Sequence, residues 1–160
     1  MFEKNFEEER GAIKIEFGDI DDIKDLPKDL EVGIEQKEDE LGIELGSFRF
    51  NYEELEDLII GGKTKLLLAK EKGDIVGFIA YTKDKSGDND NFIEMMWVKK
   101  EYRSTGLASN ILEKAIDEMR DGDISLNLRG GLLAGGFFGK HGFLKNHTTE
   151  GYNKHTLKRE

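Results

Sequence analysis

Apolar and polar residues alternate through AIKIEF (12–17), which reads as a strand. In DIDDIKDLPKDL (19–30) the apolar spacing suits a short helix, with Asp19 as N-cap and Pro27 interrupting or ending it. Residues 31–50 are acidic with scattered Ile, Leu and Phe and give no clear period. NYEELEDLII (51–60) reads as a helix: Asn51 can cap it, Glu54 follows three residues later, and Gly61-Gly62 stops it. TKLLLAKEK (64–72) and DIVGFIAYTKD (74–84) predict a hairpin with a tight turn at Gly73-Asp74. DKSGDNDN (84–91) is a polar loop, and NFIEMMWVKK (91–100) predicts a third antiparallel strand, apolar enough to be central.

The clearest period lies in TGLASNILEKAIDEMRD (105–121), where Leu107, Ile111, Leu112, Ala115, Ile116 and Met119 share one helix face. ISLNL (124–128) is a short strand, and GLLAGGFFGKHGF (131–143) a short helix weakened by its glycines. A last strand or hairpin is expected around Tyr152, within 144–158. With no internal repeat or linker, the expectation is one α/β (α+β) domain over 1–160. Residues 1–11 are a candidate flexible N-terminal extension.

Charge divides the chain. Residues 1–60 carry 20 acidic and 7 basic side chains, net −13, while 61–160 carry 14 and 17, net +3. An acidic half favours a cationic partner and disfavours nucleic acid, although acid on surface helices also serves solubility alone. Without cysteine, disulfides and thiolate metal sites are excluded. No stretch approaches the roughly 18 apolar residues a membrane span needs. The N-terminus lacks a signal-peptide core, so a cytoplasmic protein is expected, with no membrane partner.

The segment VKKEYRSTGLASN (98–110) takes the chain from strand to helix through small and polar residues. Unpaired N–H groups and the dipole make a helix N-terminus an anion site. Gly106 and Ala108 permit close approach, Ser104 and Thr105 can add hydroxyl donors, Arg103 can add charge, and Leu107 should point into the core. By itself such a turn is common. Gly62-Lys63-Thr64 is no P-loop, because a strand follows it, and no G-x-G-x-x-G opens a helix. The spacing of His141, His147 and His155 suits no zinc pattern and reads as surface histidines. Asp84 to Asp90 is rich in calcium-type ligands but, counted from Asp88, has Ile93 at the sixth loop position in place of glycine and Lys99 at the twelfth in place of glutamate, so it reads as a polar hairpin loop.

Val98, Tyr102, Arg103, Gly106 and Ala108, then Ala134, Phe138, Gly142 and Phe143, follow V-x-x-x-Y-R-x-x-G-x-A and A-x-x-x-[aromatic]-x-x-x-G-F. In order and spacing they resemble the GNAT superfamily of acyl-CoA-dependent N-acyltransferases, at motif level across about residues 64–143. The resemblance implies a mixed, mainly antiparallel sheet of about six to seven strands with helices on both faces. It implies acetyl-CoA as cosubstrate and no metal. The cofactor-binding set would be Met96, Trp97, Val98, Arg103, Ser104, Thr105, Gly106, Leu107, Ala108, Ser109 and Phe138. Amides of 103–108 would hold the diphosphate. Strand 91–100 would splay from its neighbour, the Met96 N–H meeting the acetyl carbonyl and that of Val98 the pantetheine.

Two positions depart from the family pattern. Phe138 stands where many relatives have a tyrosine that protonates the leaving thiolate, and Gly131 where many have asparagine. Glu94, in the central strand two residues before Met96, is the leading candidate base, although a lone strand glutamate is more often solvated or ion-paired. Tyr152 is the acid retained among Tyr81, Tyr102 and His141. Met95, Met96 and Trp97 can line an acyl pocket, though alternation makes two of the three plain core, as are Phe137 and Phe138 in the blander reading. The acidic stretch 18–63 falls where relatives shape the acceptor side, so a cationic small-molecule or peptide amine is expected. A binding module that holds acyl-CoA without transfer is the rival, and an unrelated α/β interaction domain a third reading. Edge strands leave room for a homodimer.

Overall fold

The computed structural model describes residues 12–26, 31–32, 48–49, 52–84, 90–102, 105–129, 134–149 and 152–159. Pro27, Asn51, Arg103, Ser104, Gly131, the loop 85–89 and the extension 1–11 lie outside the described residues.

Strand β1 (Ile13–Gly18) leads to a 3₁₀ helix (Ile20–Asp25). Asp19 caps that helix as expected: its carboxylate accepts from the Asp21 N–H, and Asp22 reciprocates to the Asp19 N–H at 2.8 Å. A small ribbon, β2 (Glu31–Val32) with β3 (Phe48–Arg49), falls in the stretch that gave no period. Helix α1 (Tyr52–Ile60) ends at Gly61 and Gly62, the latter at φ 87°. There follow β4 (Thr64–Glu71), β5 (Asp74–Thr82), β6 (Asn91–Val98), a 3₁₀ turn (Lys100–Tyr102), α2 (Leu107–Glu118), β7 (Ile124–Arg129), α3 (Ala134–Lys140), β8 (Leu144–Thr149) and β9 (Tyr152–Leu157).

Seven strands form one sheet in the order β1-β4-β5-β6-β7-β9-β8, with β6 at its centre. The β6–β7 pair is parallel and the others antiparallel. The expected fold class is therefore observed. The hairpin turn sits one residue earlier than expected, at Lys72-Gly73. Both residues have positive φ, 52° and 87°, which is the backbone of a type I′ turn. The sequence hid this because lysine rarely adopts that conformation.

The sheet separates two cores. On one face Leu67, Ile79, Tyr81 and Val98 pack against Leu107, Ile111, Leu112, Ala115 and Met119 of α2, and against Phe138 and Phe143. Five of the six residues assigned to the apolar face of α2 are buried, and Ile116 is half-buried. Gly77 lets that helix sit close, because a Cβ there would stand 2.9 Å from Cδ1 of Ile111. On the other face Leu66, Leu68, Phe78 and Trp97 pack with Ile23 and Leu26 and with Leu55 of α1. No helix among the described residues is long and apolar enough to cross a membrane.

Candidate functional site

The central strand parts from its neighbour. β6 runs from Asn91 to Val98 but pairs with β7 only at Asn91–Ile124 and Phe92–Ser125. The closed end is held by Asn91, which is 3% exposed. Its side-chain amide donates to the carbonyls of Asp121 at 2.7 Å and Asp123 at 3.3 Å, and its N–H donates to Asp123 at 3.0 Å. Beyond Phe92 no described strand pairs with that side of β6, so the two strands form a wedge along residues 93–98.

Opposite β5, β6 carries an inserted residue. Ala80 faces Met95 and Tyr81 faces Ile93, which leaves Glu94 without an opposite residue, as in a β-bulge. Strict alternation would put Glu94 on the face of Met96, next to the α2 core. Instead Ile93, Met96 and Val98 pack on the α2 face while Met95 and Trp97 pack on the α1 face. Glu94 accepts a hydrogen bond from Thr82 Oγ1 at 2.6 Å. Thr82 follows Tyr81, which lies in the α2-side core, so its side chain points to the α1 face.

Where β6 ends, the chain turns into α2 through Gly106, the N-cap, at φ 91° and ψ −6°. A Cβ built there meets no described atom within 4 Å. The ladder of α2 begins with the Asn110 N–H donating to the Gly106 carbonyl at 3.1 Å, and no side chain caps the helix from Gly106. Leu107 is buried, as expected, while Ala108 and Ser109 are half-buried in the first turn. Thr105 departs from its expected part. Its hydroxyl donates to the Tyr102 carbonyl and accepts weakly from the Leu107 N–H at 3.4 Å, so its proton is spent on shaping the turn.

The acid candidates scatter. Tyr81 is 1% exposed, and burial, reinforced by Glu118, pushes its phenol up to about 12. The Tyr102 hydroxyl donates to Glu71 at 2.7 Å, and that bond raises its pKa. Tyr152 opens β9, opposite Arg129 of β7 and Thr149 of β8. His141 Nε2 lies 3.1 Å from Ser109 Oγ, which links α3 to the first turn of α2. Phe138 sits in the core, edge-on to Phe137 at 5.1 Å and Phe143 at 5.6 Å. His155, read as a surface residue, is buried at 8% exposure, and burial lowers its pKa. Among the described residues no cluster of three or more His, Cys, Asp or Glu side chains is arranged to hold a metal ion.

A family model described as an acetyltransferase (GNAT) domain matches residues 35–157. The chain belongs to the GNAT acetyltransferase family. By class it is thus an acyl-CoA-dependent N-acetyltransferase. No curated protein matches it in sequence. Solved structures reproduce the fold. The PaiA N-acetyltransferase of Thermoplasma acidophilum, in complex with coenzyme A, gives a TM-score of 0.71 at 19% identity, over 92% of this chain and 99% of that one. The ribosomal-protein-S18-alanine N-acetyltransferase of Escherichia coli gives 0.68 at 16%, over 92% and 94%. A putative streptothricin acetyltransferase of Bacillus anthracis, in complex with acetyl coenzyme A, gives 0.66 at 18%, over 92% and 100%.

Sequence reasoning missed the contact between Thr64 and Thr82, beside Glu94. They are buried, at 4% and 5% exposure, and their hydroxyls lie 2.7 Å apart. A second bulge, at Val76, brings them opposite each other. Counting outward from Lys72-Gly73 without it would pair Thr64 with Tyr81. Only a threonine at each strand end could have signalled the contact.

Proposed function

We propose that this enzyme moves the acetyl group of acetyl-CoA to a primary amine on a cationic acceptor: a polyamine, an aminoglycoside-like amine, or a lysine or N-terminus of a peptide. The observation that carries the reading is the wedge between β6 and β7, which opens beside a glycine-capped helix start. The residues present fit coenzyme A there. First-turn amides of α2 suit a diphosphate, Gly106 permits its close approach, and the unpaired side of β6 suits an amide-bearing arm.

In the proposed reaction Glu94 takes a proton from the acceptor ammonium, directly or through a water. The freed nitrogen attacks the acetyl carbonyl carbon and a C–N bond forms. The Met96 N–H meets the charge that builds on the oxygen. The C–S bond then breaks. With phenylalanine at 138 the departing thiolate takes its proton from Tyr152 or from water, and the nitrogen sheds its surplus proton to solvent. Holding both reactants in the wedge supplies much of the rate.

The acceptor class rests on charge. Residues 1–60 carry net −13, and the elements that cover the sheet on the α1 face, toward which Glu94 is directed, come from this acidic half. β2 packs beside β6, so part of the acidic stretch borders the same strand. A second reading, a domain that binds acyl-CoA without transferring it, draws on the burial of Phe138.

The test has two stages. Calorimetric titration with coenzyme A and acetyl-CoA comes first, and absence of binding would overturn both readings. Thiol release is then followed with spermidine, an aminoglycoside, a lysine peptide, and neutral and acidic amines. Faster turnover of the cationic amines, weakening with salt, is expected. Binding without release from any amine would favour the silent module. Faster turnover of neutral amines with no salt effect would remove the charge argument.

A further inference from the structure

Three oxygens run in line across three strands. Thr64 Oγ1 of β4 lies 2.7 Å from Thr82 Oγ1 of β5, which lies 2.6 Å from Glu94 Oε2 of β6. Each hydroxyl carries one proton. The Thr82 proton is directed at the carboxylate, because an ionised carboxylate can only accept. Thr82 therefore accepts in its contact with Thr64, and Thr64 is the donor. The geometry alone leaves that direction open; the proton count fixes it.

We propose that Thr82, with Thr64 behind it, is a positioning residue that holds the Glu94 carboxylate in the orientation needed to take the acceptor's proton. The inference rests on the reading of Glu94 as the base. Glu94 sits on a bulge, where the ladder to β5 is interrupted. A short charge-assisted bond from a buried hydroxyl restrains its terminal torsions, and the second hydroxyl restrains the first. Both threonines are β-branched and packed within the sheet, so the relay is preorganised and not assembled on binding. Two separate bulges, at Val76 and at Glu94, are needed to bring the three residues into line.

The test uses Thr82→Val, which keeps shape and removes the hydroxyl, Thr82→Ser, which keeps the hydroxyl, Thr64→Val, and Glu94→Gln, singly and combined. Thiol release from acetyl-CoA is measured with spermidine. For Thr82→Val the expected result is a fall in kcat of about tenfold or more with the KM for acetyl-CoA unchanged. Thr82→Ser should restore most of kcat, and Thr64→Val should fall less than Thr82→Val. Added to Glu94→Gln, Thr82→Val should have almost no further effect, since the group it positions is already lost.

Wild-type kcat in Thr82→Val, or an equal fall in the presence and absence of Glu94, would overturn the relay while leaving Glu94 in place. If Glu94→Gln alone is without effect, Glu94 is not the base and the inference falls with it, so the two failures are distinguishable. Should Thr82→Val fail to fold, the same comparison is made with Thr64→Val, where loss of the cycle's non-additivity is equally decisive.

Discussion

Substituting Gly106 separates what the α2 turn does for the fold from what it does for the ligand. The residue sits at φ 91° and ψ −6°, and a Cβ meets no described atom within 4 Å. Alanine therefore fits without collision, and its penalty is the left-handed backbone alone, about 1–2 kcal/mol. For a domain of this size each kcal/mol lowers Tm by roughly 2–4 °C, so Gly106→Ala should unfold roughly 2–8 °C earlier. Gly106→Glu carries the same backbone penalty, but a carboxylate at a helix start recovers about 0.3–1 kcal/mol from the dipole. The glutamate variant should thus be no less stable than the alanine variant. Binding should rank the other way. A carboxylate about 5 Å from a phosphate charge repels it by about 3 kcal/mol at an effective dielectric constant of 20, or about a hundredfold in affinity. Thermal unfolding and calorimetric titration with coenzyme A read the two orders independently. Near-wild-type affinity in Gly106→Glu would show that the diphosphate lies elsewhere. Unchanged stability in Gly106→Ala would refute the left-handed cap.

Phe138→Tyr adds a hydroxyl to a ring packed between Phe137 and Phe143. We expect kcat to rise about threefold or more with KM unchanged; a stability loss of about 1–3 kcal/mol without any gain in kcat would put the new hydroxyl in the core, unbonded. At the other end of α2, the Arg159 guanidinium donates to the Gly122 carbonyl at 2.8 Å, to Met119, and to Ile116 at 3.4 Å, tying the chain after β9 to the helix C-terminus. Arg159→Ala should cost about 1–2 kcal/mol in urea unfolding, with Arg159→Lys intermediate, and an unchanged midpoint would mean solvent replaces the clamp without loss. The Arg159 N–H also donates to Asp123 and, with Lys158 and against burial, lowers the Asp123 pKa. A depressed folded pKa stabilises above the unfolded value and is lost as pH falls through the folded one. Asp123→Asn should therefore flatten the acid limb of the stability profile.

Much of this architecture is legible in the chain because its elements obey simple periods. The spacing of Leu107, Ile111, Leu112 and Ala115 fixed both the existence and the buried face of α2. The capping pair Asp19 and Asp22 and the stop at Gly62 follow from side-chain and backbone chemistry that composition displays. The insertions were not legible. Val76 and Glu94 are ordinary strand residues, and nothing in their identity says that one more residue has been added to a ladder. Each insertion depends on long-range pairing, which a local period cannot register. The same holds for Lys72, whose positive φ is imposed by the hairpin, and for His155, buried by its place in β9 between β7 and β8. In the α2 turn, small residues marked the strand-to-helix segment, but Thr105 spends its hydroxyl on Tyr102, a contact the sequence does not signal.

The bulge at Glu94 explains two features that would otherwise need separate causes. An ionisable side chain in the central strand of a sheet buried on both faces faces a desolvation penalty on either side. Without the inserted residue Glu94 would share the face of Met96 and point at the apolar surface of α2. With it, the side chain turns to the α1 face and meets a buried hydroxyl. A bulge also bends its strand and increases local twist. β6 pairs with β7 through Phe92 and stops there, two residues before the inserted Glu94, so the strands part next to the insertion. In the proposed reaction the base and the thioester would thus meet at one strand, where β6 holds one residue more than β5 matches.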